Sequence, residues 1–316
     1  MNSRSDRFHL KKLLIILLQL FVGGTFIFSA ISKLPTLEVF GWTIVENTPL
    51  NWTISEWLAR LLIGTELFLG IFFVFHFPIK KYFIPISLGL LTTFTLYLII
   101  IWVQYGNHGN CGCFGDLLPM TPLESIIKNI CLAIAIGVCK VLGSEYKFPY
   151  QRVLIAAIGT LCLAFPIWFL PPESIYIQDE EPHLKRPIPL SILYQSHINK
   201  APSAELRKGK HIIAFMSLTC SFCRKAAIRL RIMKKKNPTL PIHLILNGDS
   251  TNLKPFFEET QATNLPFTHF NGVTEFIKMN EGTSLPSIKW VVDTTLVRES
   301  NYITLNERDI LKWIKN

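Results

Sequence analysis

The sequence predicts an α-helical membrane bundle followed by an α/β domain. With 49% hydrophobic and only 17% charged residues over 316 positions, the chain is too apolar for an ordinary soluble protein. Its long apolar runs stop near Pro172, and the charged residues and short mixed segments beyond that point are typical of a soluble domain. That second part carries a Cys-Ser-Phe-Cys motif between an apolar strand and a helix.

Five stretches are long enough to cross a bilayer as helices. A spanning helix needs roughly 20 apolar residues, since each residue rises about 1.5 Å across a hydrocarbon core about 30 Å thick. A secretory signal peptide is the alternative for the first stretch, but the segment around Phe28 offers a poor small-x-small cleavage site, so we expect a retained helix. The five predicted spans are Leu13–Ile31, Trp57–Phe75, Tyr82–Val103, Leu123–Leu142 and Val153–Leu170.

Positive charges fall in alternate loops, which predicts the orientation in the membrane because Lys and Arg favour the cytoplasmic side. The intervening segments 35–55 and 104–122 contain no Lys or Arg. We therefore expect a multi-pass protein of the bacterial inner membrane with a cytoplasmic N-terminus, and with both 106–121 and everything after Pro172 on the periplasmic side. The basic positions are Arg4, Arg7, Lys11, Lys12, Lys80, Lys81, Lys140, Lys147 and Arg152.

Glu66 stands near the middle of the second span, where an ionised carboxylate costs several kcal/mol unless it is paired or hydrated. Arg60 lies six residues away on the same helix, roughly 240° around the axis, so it should face elsewhere. Lys33 at the end of the first span and Lys128 in the fourth are the candidate partners. A structural contact between helices and a proton- or quinone-site role are both open for Glu66.

The seven cysteines divide by context. Three of them (Cys131, Cys139 and Cys162) lie in apolar spans, where a thiol packs as a small hydrophobe. The other four form two pairs, Cys111 with Cys113 and Cys220 with Cys223. By the charge pattern, both pairs face an oxidising compartment, where disulfides form and persist.

The Cys111-Gly112-Cys113 pair follows the third span directly. A ring closed between residues two apart is strained and easily reduced, and Gly112 supplies the freedom in φ that the closure needs. We therefore predict exchange with another dithiol. A zinc or copper site, with His108 nearby, and a static structural bridge are the alternatives.

Residues 13–142 resemble the DoxX/MauE-type membrane family. The resemblance rests on the end of the first helix, on Glu66 within its glycine-flanked segment, and on the Cys-Gly-Cys loop with the polar residues after it. It implies a four-helix membrane domain that works with a thioredoxin-like partner in maturing a disulfide-rich periplasmic enzyme. The matching segments are 29–34, 64–70 and 111–115, with Pro122, Glu124, Lys128 and Asn129.

The soluble part alternates short apolar strands with helices, after a Pro-rich and acidic spacer at 171–190. Cys220 opens the first of these helices, so unpaired backbone N–H groups and the helix dipole favour its thiolate, with Arg224 and Lys225 adding positive charge. Cys223 lies one turn later and is placed to resolve a mixed disulfide. The predicted strands are 211–217, 241–246 and 288–292 plus one more after 295, and the predicted helices are 221–236, 253–261 and 307–314.

This pattern resembles the thioredoxin fold from about Ser191 to the end. The resemblance places Pro286 at the cis-proline position, where backbone lies beside the dithiol and can pair with an incoming peptide; an ordinary strand-start proline is the alternative. Thr219 and Ala214 stand where thioredoxins usually carry a Trp and a buried acid. The proton of Cys223 must therefore move through another group or water.

We accordingly predict an α-helical membrane bundle, with a four-helix DoxX/MauE-like core and one further transmembrane helix, followed by an α/β thioredoxin-like domain. The predicted function is that of a membrane-anchored thiol-disulfide oxidoreductase acting on extracytoplasmic protein thiols and disulfides. No cofactor is required for it. A quinone-linked electron-transfer subunit and a copper or zinc delivery protein are the alternatives. The scattered basic residues, with no basic helix among them, argue against nucleic acid.

The predicted segments are a cytoplasmic N-terminus at 1–12, the four-helix domain at 13–142, a turn and fifth span at 143–170, the linker at 171–190 and the thioredoxin-like domain at 191–316. The predicted catalytic residues are Cys220, Cys223 and Pro286. Cys111 and Cys113 form the predicted redox relay, and Glu66, Lys33 and Lys128 the polar site in the membrane, with no metal assigned.

Overall fold

The computed structural model describes residues 3–75, 82–107, 111–142, 149–172, 185–195, 200–303 and 305–315. The chain divides into two compact units, Met1–Pro172 and Glu173–Asn316, each of which has its own architecture. The basic turn at Lys80-Lys81, Lys147 and His108 all lie outside the described residues.

The first unit is helical. Within its described residues, five helices are long and apolar enough to cross a membrane, and they coincide with the five predicted spans. Large apolar side chains such as Leu17, Leu96 and Leu161 are exposed on them, as they are on helices that face lipid. The elements are α1 (Ser3–Lys33), α2 (Leu37–Asn47), α3 (Trp52–Val74), α4 (Phe83–Tyr105), the short strand β1 (Cys113–Asp116), α5 (Pro122–Leu142) and α6 (Gln151–Phe169).

Helices α1 and α3 approach each other closely because glycines meet at their crossing. A Cβ atom at Gly23 would lie 2.7 Å from the Gly70 carbonyl oxygen, and one at Gly70 would lie 2.8 Å from that of Gly23. Small residues at such crossings let two backbones pack without a gap. Aromatic side chains fill the bundle beside this crossing, with Phe72 stacked on Phe83 at 4.1 Å between ring centroids.

Helix α1 begins at Ser3, so the described part of the predicted cytoplasmic N-terminus (1–12) is helical and continuous with the first span, because no helix breaker interrupts it. One segment differs from the prediction. Residues 37–47, which we expected to be loop, form helix α2, with Leu37, Trp42 and Val45 buried. Their apolar side chains recur at helical spacing and pack the short helix against the bundle.

The second unit is an α/β domain with one six-stranded sheet in the order β2-β7-β6-β3-β4-β5. Strand β3 pairs parallel with β4 and antiparallel with β6, a mixed arrangement that agrees with the predicted thioredoxin-like fold. Its elements are β2 (Arg186–Pro187), α7 (Ile192–Gln195), β3 (Lys210–Ser217), α8 (Ser221–Lys236), β4 (Ile242–Asn247), α9 (Leu253–Thr260), β5 (Phe267–Phe270), α10 (Val273–Asn280), β6 (Ser287–Val292), β7 (Thr295–Ser300) and α11 (Glu307–Lys315).

The domain begins earlier than its predicted start at Ser191. Strand β2 pairs with β7, and Ile188 and Leu190 lie buried in the core that covers one face of the sheet. The proline content of this segment suggested a spacer, but prolines are tolerated on an edge strand such as β2. Strand β5 and helix α10 are also additional to the prediction, since each is too short to give a clear sequence signal.

Candidate functional site

Cys220 and Cys223 are held at the turn from β3 into α8. Cys220 is the N-cap residue of α8, and its Sγ accepts the backbone N–H of Cys223 at 3.2 Å. This is the position predicted for the attacking sulfur. The cap holds the Cys220 sulfur at the start of the helix, beside its otherwise unpaired backbone N–H groups.

The two sulfurs differ in access. Cys223 is fully buried, while Cys220 is partly exposed. Burial raises the pKa of the Cys223 thiol, and the neighbouring Cys220 sulfur raises it further, whereas the backbone N–H of Ser217, 3.4 Å from Cys223 Sγ, acts in the opposite direction. An incoming disulfide can therefore reach Cys220 first, and Cys223 stays protonated behind it.

The residues around the dithiol present an apolar and largely charge-compensated surface. Phe222, between the two cysteines, is exposed, and the Lys225 ammonium lies 6.0 Å from its ring centroid. Arg224 forms an ion pair with Glu259 at 3.0 Å, so its charge is partly neutralised. The sequence suggested that Arg224 and Lys225 both act on Cys220, whereas the structure pairs Arg224 with Glu259.

Pro286 lies at the same end of the sheet as the dithiol. Ser287, the next residue, pairs with Phe215 on β3, and β3 ends two residues further on at Ser217, just before the Cys220 turn. The Leu285–Pro286 peptide bond is cis, as predicted. Ala214 is buried in β3, where thioredoxins usually carry an acid.

The second cysteine pair lies between α4 and α5 of the first unit, where Cys113 begins β1. Gly112 has φ +71°, the left-handed conformation that we predicted a glycine would supply here. Gly115, with φ +58°, packs directly against the Ser32 carbonyl oxygen, where an added Cβ would collide. The loop is thereby fixed against the end of α1.

Lys33 and Glu66 form a buried ion pair between α1 and α3. Lys33 Nζ lies 2.7 Å from Glu66 Oε1 and 2.8 Å from Oε2, and both side chains are at most 5% exposed. Lys33 also donates to Ser29 Oγ at 2.8 Å. Arg60 faces elsewhere, as expected, and donates to the carbonyl oxygens of Leu170 and Pro171. Of the two predicted partners of Glu66, Lys33 makes the contact.

The ion pair and the Cys-Gly-Cys loop belong to one site. The Ser29 hydroxyl lies 3.1 Å from Glu66 Oε2 and 3.1 Å from the Cys113 carbonyl oxygen, so its single hydrogen serves one acceptor at a time. Lys128 lines the same cavity, with its ammonium 4.3 Å from the Phe114 ring centroid. Other lining residues are Phe40, Phe94, Tyr97, Asn129, Cys111 and Cys113.

This cavity is small. Its volume is about 40 Å³, which is room for about two or three water molecules, whereas a benzene ring occupies an engineered cavity of about 150 Å³. The quinone-linked alternative stays a prediction. Within the described residues, no three His, Cys, Asp or Glu side chains lie close enough to hold a metal ion.

Sequence reasoning missed several polar contacts around this site. Ser125 contacts Cys111, with Oγ and Sγ 2.9 Å apart, and Asn129 donates to Thr95 Oγ at 3.2 Å. A serine or asparagine in a span has no distinctive spacing, although Asn129 was part of the family resemblance. Packing is confirmed for Cys139 and Cys162, whereas Cys131 is exposed on α5.

The two units together define a class of protein: a multi-pass membrane protein that also carries a thioredoxin-like domain with a Cys-x-x-Cys dithiol. Residues 11–142 match the family model described as Methylamine utilisation protein MauE. Over its whole length the chain is similar to Protein TlpB of Flavobacterium psychrophilum, with 28% identity covering 92% of each chain.

Solved structures similar to this chain include a secreted Mycobacterium tuberculosis disulfide oxidoreductase homologous to Escherichia coli DsbE. It is 16% identical, with 44% of this chain and 96% of that chain covered and a TM-score of 0.30. Another is the thioredoxin domain of a thiol-disulfide oxidoreductase from Bacteroides vulgatus, also 16% identical, with 34% and 81% covered and a TM-score of 0.30.

Proposed function

We propose that this protein is a membrane-anchored thiol-disulfide oxidoreductase whose Cys220–Cys223 dithiol exchanges with disulfides of extracytoplasmic proteins. One observation carries the proposal. Cys220 caps a helix with its sulfur accessible, while Cys223 lies buried one turn behind it. This asymmetry is what a two-step exchange requires, because one sulfur must meet the client and the other must wait.

In the reducing direction, the Cys220 thiolate attacks one sulfur of a client disulfide. A bond forms between Cys220 and that sulfur, the client S–S bond breaks, and the second client sulfur leaves as a thiolate that takes a proton. Cys223 then loses its proton and attacks Cys220, which releases the client dithiol and leaves a Cys220–Cys223 disulfide. Two electrons pass from the protein to the client, and the same steps run backwards for oxidation.

We further propose that the client chain lies beside the Leu285–Pro286 turn that leads into β6. Ser287 pairs with Phe215 on β3. The backbone at Pro286 and Ser287 therefore lies next to the end of β3, where the turn to Cys220 begins. The exposed Phe222 ring offers an apolar contact next to the reacting sulfur. These features suit an extended segment of an unfolded or partly folded protein.

The Cys111–Cys113 pair is the proposed redox partner of this dithiol. The charge pattern favours the periplasmic side for both pairs, and the relay requires that both lie on one side of the membrane. Exchange would move two electrons between the pairs, in a direction set by their potentials. The orientation itself is tested by labelling both pairs with a membrane-impermeant maleimide in intact spheroplasts; labelling of one pair alone would exclude the relay.

Client exchange is tested by trapping. A Cys223→Ser protein should accumulate mixed disulfides through Cys220, because the adduct can form but cannot be resolved. Cys220→Ser is the matched control and should trap none. Mass spectrometry of the adducts identifies the client cysteines, and an equal yield from the two variants would refute the proposed function.

The relay has its own test. A Cys113→Ser variant should change the proportion of oxidised Cys220–Cys223 in growing cells, as measured by alkylation after acid quenching. Cys139→Ser is the control, because Cys139 is buried in α5 and takes no part in exchange. An unchanged redox state in Cys113→Ser would exclude the relay while leaving client exchange intact.

A further inference from the structure

The cavity beside the Cys-Gly-Cys loop has an excess of positive charge. Among the described residues that line it, the Lys and Glu side chains are Lys33, Glu66 and Lys128. Lys33 and Glu66 neutralise each other at 2.7 Å. Lys128 is therefore a surplus cation at the cavity wall, and a negative charge on one cysteine sulfur would balance it.

The surroundings of the two sulfurs are unequal. Cys111 Sγ contacts the neutral Ser125 hydroxyl at 2.9 Å. Cys113 is joined through its carbonyl oxygen to Ser29, which receives a hydrogen bond from Lys33. Phe114 is the next residue in the chain, and the Lys128 ammonium lies 4.3 Å from its ring centroid. Both cations thus approach the pair from the side of Cys113.

The electrostatics of the loop agree with this geometry. A hydrogen bond from the Cys111 thiol lowers the pKa of Cys113, and the charges of Lys128 and Lys33 act in the same direction against the effect of burial. The same hydrogen bond and burial raise the pKa of Cys111. The ionisable groups that face the pair from the surrounding helices are Lys33 of α1, Glu66 of α3, Tyr97 of α4 and Lys128 of α5.

We infer that Cys113 is the attacking sulfur of the membrane pair, that Cys111 resolves its adduct, and that Lys128 is a positioning residue that keeps Cys113 ionised. This assignment rests on the proposed function, since it gives roles to the same pair in thiol exchange. It also gives Ser125 a role, as the hydroxyl through which the Cys111 proton can leave.

The exchange then proceeds in two steps. The Cys113 thiolate attacks an incoming disulfide, forming a mixed disulfide and releasing one sulfur as a thiolate, which takes a proton from water. Cys111 next gives up its proton through the Ser125 hydroxyl to solvent, and its sulfur attacks Cys113. A Cys111–Cys113 disulfide forms, the second sulfur of the incoming pair leaves, and two electrons have passed to that pair.

The test is the pH dependence of alkylation in the full-length, reduced protein in detergent. The protein carries Cys220→Ser and Cys223→Ser, so that the second dithiol cannot exchange, and fragment-ion mass spectrometry separates the two loop cysteines. We expect iodoacetamide to modify Cys113 before Cys111 at pH 7. Lys128→Met should slow Cys113 modification about tenfold at that pH and move its midpoint upward by about one pH unit.

Two further variants separate charge from structure. Lys128→Arg keeps the positive charge and should retain the wild-type profile. Lys140→Met removes an exposed cation from the other end of the same helix and should leave the profile unchanged. Earlier modification of Cys111, or an unaltered Cys113 profile in Lys128→Met, would overturn the inference.

If the Lys128→Met protein does not fold, the inference is still tested by the protein that retains Lys128. In that protein the order in which Cys113 and Cys111 are alkylated decides. The alkylation experiment is also independent of the experiments that test the proposed function. Alkylation needs no client, so a failed trapping experiment would leave this result standing. A reversed order of alkylation would likewise leave client trapping at Cys220 unaffected.

Discussion

Lys33 Nζ lies 2.7 Å from Glu66 Oε1, and this ion pair ties α1 to α3 inside the membrane unit. Both side chains are almost fully buried, so neither charge is compensated by bulk water. The pair also receives the Ser29 hydroxyl, which links it to the carbonyl group of Cys113. A change in this pair should therefore affect both the stability of the bundle and the placement of the cysteine loop.

Removing one member of the pair should be far more harmful than removing both. Lys33→Met or Glu66→Gln alone leaves a buried, uncompensated charge, which costs roughly 3–5 kcal/mol, whereas the double variant leaves none. We expect a large drop in the thermal unfolding midpoint in detergent for Lys33→Met, and recovery of most of it in the double variant. Single variants as stable as the wild-type protein would contradict this account.

Gly115 should be intolerant of a side chain. An alanine there needs a left-handed backbone and also collides with the Ser32 carbonyl oxygen, so the loop must move away from α1. Gly112 is the control, since its φ is also positive but an added Cβ meets nothing within 4 Å. Gly115→Ala should raise the maleimide labelling rate of Cys113 and lower stability by more than the roughly 1–2 kcal/mol expected at Gly112. Equal effects would refute the role of close packing.

The soluble domain should require residues before Ser191. A fragment starting at Ser191 lacks β2 and the buried side chains of Ile188 and Leu190. Burial of two such side chains contributes roughly 3–6 kcal/mol, so the short fragment should be much less stable than one starting at Glu173. Urea unfolding followed by tryptophan fluorescence compares the two directly. Equal midpoints would mean that these residues add nothing to the fold.

The domain should lose stability in mild acid through His243. Burial lowers the pKa of this side chain from 6.5 to about 4 in the folded state, and nearby His211 acts in the same direction. Between these values the unfolded chain binds more protons than the folded one, so stability is fully present above pH 6.5 and falls as the pH drops toward 4. The slope for one group is at most about 1.4 kcal/mol per pH unit.

A His243→Leu variant of the fragment starting at Glu173 provides the comparison. Its unfolding free energy should vary less between pH 7 and pH 5, because the titrating group is absent, although Thr268 loses its hydrogen-bond partner at all pH values. Exposed carboxylates titrate in both proteins and cancel in the difference. Parallel pH profiles for the two proteins would show that His243 does not titrate in this range.

The sequence was most informative where a physical constraint acts locally. Bilayer thickness predicted the five spans, and the strand before Cys220 together with the helix after it predicted the N-cap position of that sulfur. The cost of an isolated charge in a membrane required a partner for Glu66. The structure selects Lys33 over Lys128, which only the three-dimensional arrangement of the helices could decide.

Features that depend on tertiary packing could not be predicted from local patterns in the sequence. Helix α2 and strand β2 are short, and each depends on tertiary contacts: α2 packs against α3, and β2 pairs with β7, more than 100 positions away. Ser29 is an ordinary serine in an apolar helix, and its link to Cys113 spans 84 positions. A periodicity or a motif reports neighbours along the chain, so contacts of this kind become visible only in the folded protein.

The burial of Cys223 affects how the Cys220–Cys223 dithiol responds to oxidative stress. Peroxide that reaches the accessible Cys220 would convert it to a sulfenic acid, which a nearby thiol can condense with to form a disulfide and water. Cys223 sits one helical turn away, shielded from the same oxidant. We expect oxidation of Cys220 to stop at a Cys220–Cys223 disulfide, which can be reduced again. The buried Cys223 would thereby protect Cys220 from irreversible oxidation.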